Sequence, residues 1–499
     1  MGRGRGPEPG RVVGTALVVV VAFTARLAPV LAGGGLRGTG TYDDGVYFTA
    51  ALALVHGRLP YGQFVLLHPP GVMLVLAPFA GLASWVGDST AFALARVAFM
   101  VLGTVTAVLV ARLAGTAGRT AATTAGLAYA IAPAAVYAEH TTMLEGPVNL
   151  CLAAGLLVLL GRAPIVAPRA ALAGALLGLG TTVKFWELVP LVVVAVWVGA
   201  RVGRPHLVHL LAGAVAAGVV VCGPFFLVAP GAMVRYVLLA QLDRPRMAAN
   251  ILDRLALVVG QGPADAPRPV LMAVIVGASA VLFAAAWSIR HDEGAPLFLA
   301  LSAGTMALVL ASPPAFRHYG AIAAVPVSVV LGEAVQHAWD RSSADRSPAR
   351  MLTLVAAAFV VVAMAVTSIR EFGVVFPRRL ATAAQQQGCV TADDPTNLLL
   401  LDTASRDLDR GCRLWVDVTG VTYDPARRTH LLSRADDPLW QQEIWAYLCS
   451  GDAAIITRPS TGLDAKAQEA LAGWPRLARA GRFDLLKTPR SCTPPPGVG

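Results

Sequence analysis

The sequence predicts an α-helical membrane protein with a small α/β domain at its C-terminal end. Hydrophobic residues make up 56% of the chain, and its mean hydropathy is +0.63. Charged residues account for only 14%, against roughly 25% in ordinary soluble domains. Long apolar runs recur through residues 12–369, whereas short apolar runs alternate with polar stretches from Arg370 onward. We therefore predict a polytopic protein with about eleven transmembrane helices of roughly 20 residues each, followed by a soluble domain.

The first predicted span covers Val12–Leu31 and follows three arginines. A run of small residues comes after it, so a cleaved signal peptide is the alternative. The apolar run is about 20 residues long, which suits a membrane span better than the short apolar core of a signal peptide. We expect the segment to be retained, with residues 1–11 as a cytoplasmic tail.

Nine further apolar runs follow the first one. They lie near residues 91–111, 120–138, 146–161, 170–200, 207–229, 269–289, 294–311, 318–336 and 351–369. Arginines are concentrated in alternate breaks between these runs, and the positive-inside rule places those breaks in the cytoplasm. The run at 170–200 is too long for one span, so we predict a hairpin of two short helices that turns near residues 184–187. The N-terminus is then inside and the C-terminus outside.

Residues 71–87 are apolar but are not counted as a span. Counting them would place Arg112 and Arg119 outside the membrane. We predict instead an interfacial or re-entrant helix, which is tolerated where the backbone is packed against protein. The first external loop then covers residues 33–87, and the whole transmembrane module covers residues 12–369.

The positive net charge of +10 follows the membrane topology and does not indicate a nucleic-acid partner. Residues 1–369 contain 24 Lys+Arg and 15 Asp+Glu, whereas residues 370–499 contain 16 and 15. Nearly all of the excess therefore belongs to the membrane part, where the positive-inside rule explains it. No G-x-x-x-x-G-K-[ST] or G-x-G-x-x-G motif follows a predicted strand, so nothing indicates nucleotide binding.

Residues 370–499 are predicted to form an extracytoplasmic α/β domain that holds four of the six cysteines. An even number of cysteines outside the cytoplasm permits two disulfides in three connectivities. We favour pairing between near neighbours, Cys389 with Cys412 and Cys449 with Cys492. Cys-x-x-Cys spacing is absent, so no zinc site is predicted. The other two cysteines, Cys151 and Cys222, lie within predicted spans and are expected to be packing residues.

Two adjacent aspartates, Asp43 and Asp44, follow the first span in the sequence Thr41-Tyr42-Asp43-Asp44-Gly45. Carboxylates are costly near hydrocarbon, so such a pair indicates a functional site. One aspartate could remove a proton from an attacking hydroxyl while the other orients the acceptor. The alternative is that an aspartate caps a helix that begins here, which explains one aspartate better than two.

Two further polar segments are candidates for acceptor or second acidic sites. His68 precedes Pro69-Pro70-Gly71, which in isolation predicts only a rigid turn. Glu139 and Glu145 belong to the second external loop, where simple loop polarity explains one of them. Because they are six residues apart they fall on different helical faces, and we do not expect them to act together.

Cationic residues at two other predicted outer turns are candidate phosphate ligands. Lys184 is the only lysine in residues 1–369, and an ammonium group is a compact cation suited to phosphate. It could instead extend to the interface beside Trp186 or pair with Glu187. The second cluster is Arg317-His318-Tyr319, where an arginine and a hydroxyl would suit a lipid phosphate. Its alternative is an interfacial aromatic anchor.

Together these motifs resemble those of the GT-C glycosyltransferases. The likeness is to bacterial members, namely protein mannosyltransferase-like, aminoarabinose transferase-like and actinobacterial polyprenol-dependent enzymes. It covers roughly residues 12–336. The second external loop departs from the commoner form, which contains an arginine. The segment 415–420 resembles extracytoplasmic tails of actinobacterial members.

The resemblance implies a GT-C fold, an outward-facing active site in the cytoplasmic membrane, and a polyprenyl-phosphate sugar donor held among membrane lipid. The acceptor would be a cell-envelope glycan, lipid or protein. A first-loop aspartate would be the base, which carries over to Asp43 with Asp44 beside it. More loosely, it carries over to His68, Glu139 or Glu145, Lys184 and Arg317. The reaction would invert the anomeric carbon, and whether a divalent metal assists stays open.

Two other classes of protein remain as alternatives. In a lipid or glycan transporter or flippase, buried charges would line a substrate path. Inverted repeats with paired broken helices would favour that class, and the sequence shows no internal repeat. A non-catalytic envelope scaffold, whose C-terminal domain binds cell-wall partners, is the third possibility.

Overall fold

The protein is described by a computed structural model. It describes residues 9–161, 164–247, 249–262, 267–342, 371–427, 429, 432–460 and 462–493. The span predicted at 351–369 lies outside the described residues. The chain divides into two compact units. Unit 1 comprises Met1–Pro29, Val97–Val221 and Arg246–Glu371, and unit 2 comprises Val30–Arg96, Cys222–Pro245 and Phe372–Gly499.

Helices account for almost all of the regular structure before residue 343. They are α1 Pro9–Ala32, α2 Tyr42–Val55, α3 Gly71–Val86, α4 Asp88–Ala114, α5 Arg119–Ala130, α6 Pro133–Glu139, α7 Glu145–Leu160, α8 Ala167–Val183, α9 Leu188–Arg201, α10 Arg204–Val228, α11 Pro230–Val234, α12 Ala240–Leu242, α13 Ile251–Val258, α14 Arg268–Ile289, α15 Ala295–Ala311 and α16 Ala324–Ser342. Two 3₁₀ segments, Phe185–Glu187 and Arg317–Ala323, and a π-helical turn, Arg235–Leu239, join some of them.

Among the described residues, five helical segments are long and apolar enough to cross a membrane. They are Val12–Ala32, Asp88–Ala114, Arg204–Val228, Arg268–Ile289 and Arg317–Arg341. The pair α5 and α6, bent by 58°, would make a sixth. These segments confirm a multi-pass membrane protein, whereas the count of about eleven spans stays a prediction.

Two details of the predicted topology can be compared with the structure directly. Helix α8 ends at Val183 and α9 begins at Leu188, with a 3₁₀ turn between them. The predicted break near residues 184–187 is therefore confirmed. Residues 71–86 do form a helix, as predicted. Whether this helix lies at the membrane interface stays a prediction.

Small residues allow the helices of unit 1 to approach closely. A methyl group at Gly174 would lie 1.8 Å from the carbonyl oxygen of Leu210, and one at Gly213 would lie 1.9 Å from that of Ala171. Helices α8 and α10 therefore meet backbone to backbone, as small residues permit in membrane proteins. By contrast, most of α10 and α14 is exposed, as expected of surfaces that face lipid.

The C-terminal part of unit 2 is an α/β structure, as predicted. Its strands are β1 Val390–Ala392, β2 Ala453–Thr457, β3 Arg476–Ala480 and β4 Phe483–Lys487, in the sheet order β1-β2-β4-β3. Only β1 and β2 are parallel. The helices are α17 Arg379–Gln385, α18 Pro395–Leu400, α19 Ala404–Asp409, α20 Pro438–Leu448 and α21 Ala465–Ala472.

The core of this region and its cross-links are well defined. Trp440, Ile444 and Tyr447 of α20 are buried together with residues of β2 and β4. The disulfides Cys389–Cys412 and Cys449–Cys492 both form, in the predicted connectivity. Cys151 and Cys222 are free and partly buried.

Candidate active site

The two adjacent aspartates lie in the first turn of α2 but occupy different environments. Thr41 is the N-cap residue, and its side chain accepts a hydrogen bond from the backbone N–H of Asp44. Neither aspartate therefore caps the helix, so capping explains neither of them. Asp44 is completely buried, whereas Asp43 is partly exposed. Of the two carboxylates, Asp43 is therefore the more exposed.

Asp44 forms a buried ion pair with Arg96 of α4. The Arg96 Nε donates to Asp44 Oδ2 at 2.9 Å, and one terminal nitrogen contacts the same oxygen. The other terminal nitrogen donates to the carbonyl oxygens of Leu36 and Gly38, both at 2.8 Å. The guanidinium thus ties the loop before α2 to the acidic pair. Sequence reasoning missed Arg96, although an arginine inside a predicted apolar span was a signal for such a partner.

Tyr42, directly before the aspartates, is held by the C-terminal region. Its hydroxyl donates to Asp417 Oδ1 at 3.0 Å and accepts a hydrogen bond from the backbone N–H of Thr419 at 3.0 Å. Asp417 also accepts from the N–H of Gly420 at 2.7 Å. Burial raises the pKa of Tyr42, and the neighbouring Asp417 carboxylate raises it further. Tyr42 is therefore a neutral hydrogen-bond donor that fixes the start of α2.

A second aspartate pair, Asp393 and Asp394, also approaches the start of α2. Asp394 caps α18 through the backbone N–H of Thr396, at 2.9 Å. A methyl group at Gly45 would lie 2.0 Å from Thr396 Oγ1, so α18 is in tight contact with α2. Burial raises the pKa of Asp394 to about 6, and burial together with Asp394 raises the pKa of Asp393 to about 8. Sequence reasoning missed this pair because nothing local connects it to the first loop.

His68 lies in the turn that precedes α3, as its prolines predicted. Its carbonyl oxygen accepts a hydrogen bond from the hydroxyl of Tyr61 at 2.8 Å. Its ring packs edge to face on Tyr47, with the centroids 5.7 Å apart. These contacts explain a structural role for the turn, and a chemical role for His68 stays a prediction.

Glu139, in unit 1, is enclosed in a buried hydrogen-bonded triad. Its Oε2 accepts from Arg26 Nε at 2.8 Å, and its Oε1 accepts from the hydroxyl of Tyr129. Arg26 also donates to the carbonyl oxygens of Ala22 and Ala130, at 2.8 and 3.0 Å. Every charged group of the triad is completely buried. This arrangement favours a structural role for Glu139.

Glu145 and Lys184 form a separate buried ion pair. The Nε2 of His318 lies 3.9 Å from the same Glu145 oxygen. The rings of Trp186 and Tyr319 flank the ammonium group, with centroids 4.5 and 4.4 Å from Lys184 Nζ. Three of the predicted phosphate-binding residues, Lys184, His318 and Tyr319, are therefore brought together in unit 1.

The remaining predictions for this cluster have mixed outcomes. The partner of Lys184 is Glu145 and not Glu187, the alternative that the sequence offered. Both Glu187 oxygens are buried and have no hydrogen-bond partner among the described residues. Arg317 is partly buried at the start of the 3₁₀ segment. Within the described part of the chain, no group of three His, Cys, Asp or Glu residues could hold a metal ion.

Comparison with known proteins shows similarity in fold over nearly the whole chain. The structure is similar to ArnT from Cupriavidus metallidurans bound to undecaprenyl phosphate, with a TM-score of 0.61 and 16% identity. That match covers 97% of this chain and 99% of the other. It is also similar to the oligosaccharyltransferase AglB from Archaeoglobus fulgidus, in complex with an inhibitory peptide and a dolichol-phosphate. The TM-score is 0.56 and the identity 11%, over 90% of this chain and 69% of the other.

These similarities define the class of fold: the chain is a multi-pass membrane protein with a GT-C fold. Within that class, residues 66–313 match the model of glycosyltransferase family 87. Among curated proteins, none matches the chain in sequence. The predicted GT-C fold is therefore confirmed, and the match to glycosyltransferase family 87 supports the predicted glycosyltransferase activity.

Proposed function

We propose that the protein transfers a sugar from a polyprenyl-phosphate donor to a cell-envelope acceptor on the outer face of the cytoplasmic membrane. The acceptor is a glycan, a lipid or a protein. Two similar structures, ArnT and AglB, were solved with undecaprenyl phosphate and a dolichol-phosphate, which supports a lipid-linked donor. A donor of this kind also suits a face of the membrane to which nucleotide sugars are not supplied.

One observation carries the choice of catalytic residue: Asp43 is accessible, whereas its neighbour Asp44 is buried in an ion pair with Arg96. Asp43 is the general base, and it takes the proton of the acceptor hydroxyl. The hydroxyl oxygen then forms a bond to the anomeric carbon as the bond to the lipid phosphate breaks, with inversion. Asp44 and Arg96 are positioning residues that fix the first turn of α2.

Lys184, Arg317, His318 and Tyr319 are the proposed ligands of the donor phosphate. A lysine, an arginine and a hydroxyl provide the cationic and hydrogen-bonding groups that stabilise charge on a departing phosphate. The Glu145 carboxylate and the two flanking rings hold the Lys184 ammonium in place. Glu145 is thus a positioning residue for the lysine.

The proposed orientation has the N-terminus inside and residues 370–499 outside. The arginines in alternate loops support it, through the positive-inside rule. A reporter that is active only in the cytoplasm, fused after Arg370, should be silent. A bright signal would reverse the orientation and remove the external active site.

A transfer assay tests the activity itself. Purified protein in lipid nanodiscs is incubated with radiolabelled polyprenyl-phosphate sugar and an envelope membrane extract as acceptor. Wild-type protein should form labelled product and release polyprenyl phosphate, whereas an Asp43→Asn variant should not. Label that crosses the membrane of proteoliposomes without forming a new bond would instead indicate a transporter.

A further inference from the structure

Four arginines form a basic patch at one edge of the C-terminal sheet. We call Arg458, Arg476, Arg479 and Arg482 the arginine patch. The edge strand β3 contributes two of them, and Arg482 lies in the turn between β3 and β4. The Asp484 carboxylate lies among three of them, with Arg458 Nε at 2.7 Å, Arg479 Nε at 3.5 Å and Arg476 Nε at 3.6 Å. The fourth, Arg482, interacts electrostatically with Asp394. Two carboxylates cannot neutralise four arginines.

The guanidinium groups of the patch are accessible to solvent. The side chain of Asp484 is only 10% exposed, whereas those of Arg458, Arg476 and Arg479 are 38%, 48% and 47% exposed. Asp484 therefore contacts these three arginines on their buried side, and the rest of each guanidinium group faces solvent. Arginine forks held in this way suit phosphate and carboxylate oxygens, which they bind in a bidentate manner.

The patch is connected to the catalytic loop through a short series of contacts inside unit 2. The backbone N–H of Arg458 donates to the carbonyl of Arg482 at 2.7 Å. Its neighbour Thr457 donates its N–H to both oxygens of Asp393, at 3.0 and 3.1 Å. The next residue, Asp394, caps α18, which contacts the first turn of α2. The patch thus adjoins the region that presents Asp43.

We propose that the arginine patch binds phosphate or carboxylate groups of an anionic envelope glycan, and so holds the acceptor next to Asp43. The proposal rests on the proposed function and adds the chemical class of the acceptor. A glycan is favoured over a lipid surface because segments that bind anionic membranes are typically clusters of basic residues next to a membrane span. Here the arginines lie at a sheet edge, and three of them contact one largely buried carboxylate.

Binding of a defined polyanion tests the proposal without any sugar transfer. The probe is fluorescein-labelled polygalacturonate, with labelled dextran as the neutral polymer, and the full-length protein is held in nanodiscs of phosphatidylcholine. Wild-type protein should bind polygalacturonate and not dextran. R476E/R479E should weaken that binding about tenfold or more, because hydrogen bonds between charged groups are lost. R413E/R490E, which reverses two exposed arginines outside the patch, should bind like wild type.

Several results would overturn the proposal. Equal binding by wild type and R476E/R479E would do so, as would wild-type binding to phosphatidylglycerol vesicles but not to the polymer. If the reversal variant does not fold, R476Q/R479Q replaces it, and unchanged binding by that variant has the same meaning. In the transfer assay with the envelope membrane extract, R476E/R479E should form less labelled product than wild type, and R413E/R490E should form as much. Absence of transfer in wild type would contradict the proposed function and leave the binding result as it stands.

Discussion

Glu139 and Glu145 lie six residues apart in unit 1, and both are buried carboxylates paired with a cation. The two pairs differ in what surrounds them. Glu139 uses both oxygens, on Tyr129 and on Arg26, and Arg26 donates further hydrogen bonds to two backbone carbonyls. Glu145 uses one oxygen on Lys184, and its other oxygen has no hydrogen-bond partner among the described residues.

The cations differ in the same way. An ammonium group carries three donors, and Lys184 donates to a single carboxylate within the part of the chain that the structure describes. In Arg26, and in Arg96 of unit 2, the terminal nitrogen that does not contact the carboxylate donates to two backbone carbonyls. We call such a pair, in which the arginine also donates to backbone carbonyls, a closed pair. A closed pair fixes the packing of its helices. We call the pair of Glu145 and Lys184 an open pair, because its ammonium group retains donors that a phosphate can accept. The comparison therefore separates structural pairs from a ligand site.

The largest expected effect concerns Asp43, which lies beside the closed pair of Asp44 and Arg96. Asp43→Asn should fold and bind the donor but lose about 10²–10⁴-fold in turnover, because an amide cannot accept the proton. Thr41 provides the cap, so the substitution leaves the start of α2 intact. The measurement is the rate of sugar transfer at saturating donor. Full activity would exclude Asp43 as the base.

Asp44→Asn is the matched control for this prediction. It weakens the ion pair with Arg96 and should reduce thermal stability as well as activity, because Arg96 is left buried with a neutral partner. Loss of activity with unchanged stability in Asp44→Asn would mean that Asp44 contacts the substrate itself.

The next effect tests whether the pair of Glu139 and Arg26 is structural. Arg26→Leu leaves a carboxylate buried without its cation, which should lower the free energy of unfolding by about 3–5 kcal/mol. The measurement is denaturant unfolding in detergent. In the double variant R26L/E139Q much of the loss should be recovered, because the unpaired charge is gone. A stable Arg26→Leu variant that binds no donor would contradict the structural assignment.

Structural features that depend on local sequence patterns could be predicted, whereas most contacts between residues distant in the sequence could not. The turn at 184–187, the helix at 71–86 and both disulfides were predicted from runs of apolar residues and cysteine order, and all are present. Lys184 was recognised as unusual, but its partner Glu145 was not, since 39 residues separate the two.

The missed parts of the site have one physical cause. Tyr42 pairs with Asp417 across 375 residues, and Asp44 pairs with Arg96 across 52. Periodicity and spacing report only neighbours within a few turns, so contacts made by packing distant segments leave no such signal. The single hint was chemical: an arginine within an apolar run requires a buried counter-charge.

A smaller effect, on donor binding, is expected at the open pair of Glu145 and Lys184. Lys184→Met should weaken donor binding about tenfold or more, because a hydrogen bond between charged groups is lost. Glu145→Gln should weaken donor binding much less than Lys184→Met, since the amide oxygen can still accept a hydrogen bond from the lysine and the ammonium is retained. The measurement is equilibrium binding of a fluorescent polyprenyl phosphate. Equal losses in the two variants would instead show that this pair is structural, like that of Glu139.

The last prediction concerns Asp393, a buried carboxylate that pairs with no cation among the described residues. Its pKa is raised to about 8 by burial and by Asp394, above the value of about 3.9 for an unfolded chain. The folded state therefore holds the proton more tightly, and its stability falls as the pH rises from about 4 to about 8. Hydrogen exchange of β2 in the full-length protein should be slower at pH 5.5 than at pH 8, once the rates are corrected for intrinsic exchange. Asp393→Asn keeps an oxygen that accepts from Thr457 but removes the charge, so it should flatten this dependence. An unchanged slope in the variant would assign the titration to another group.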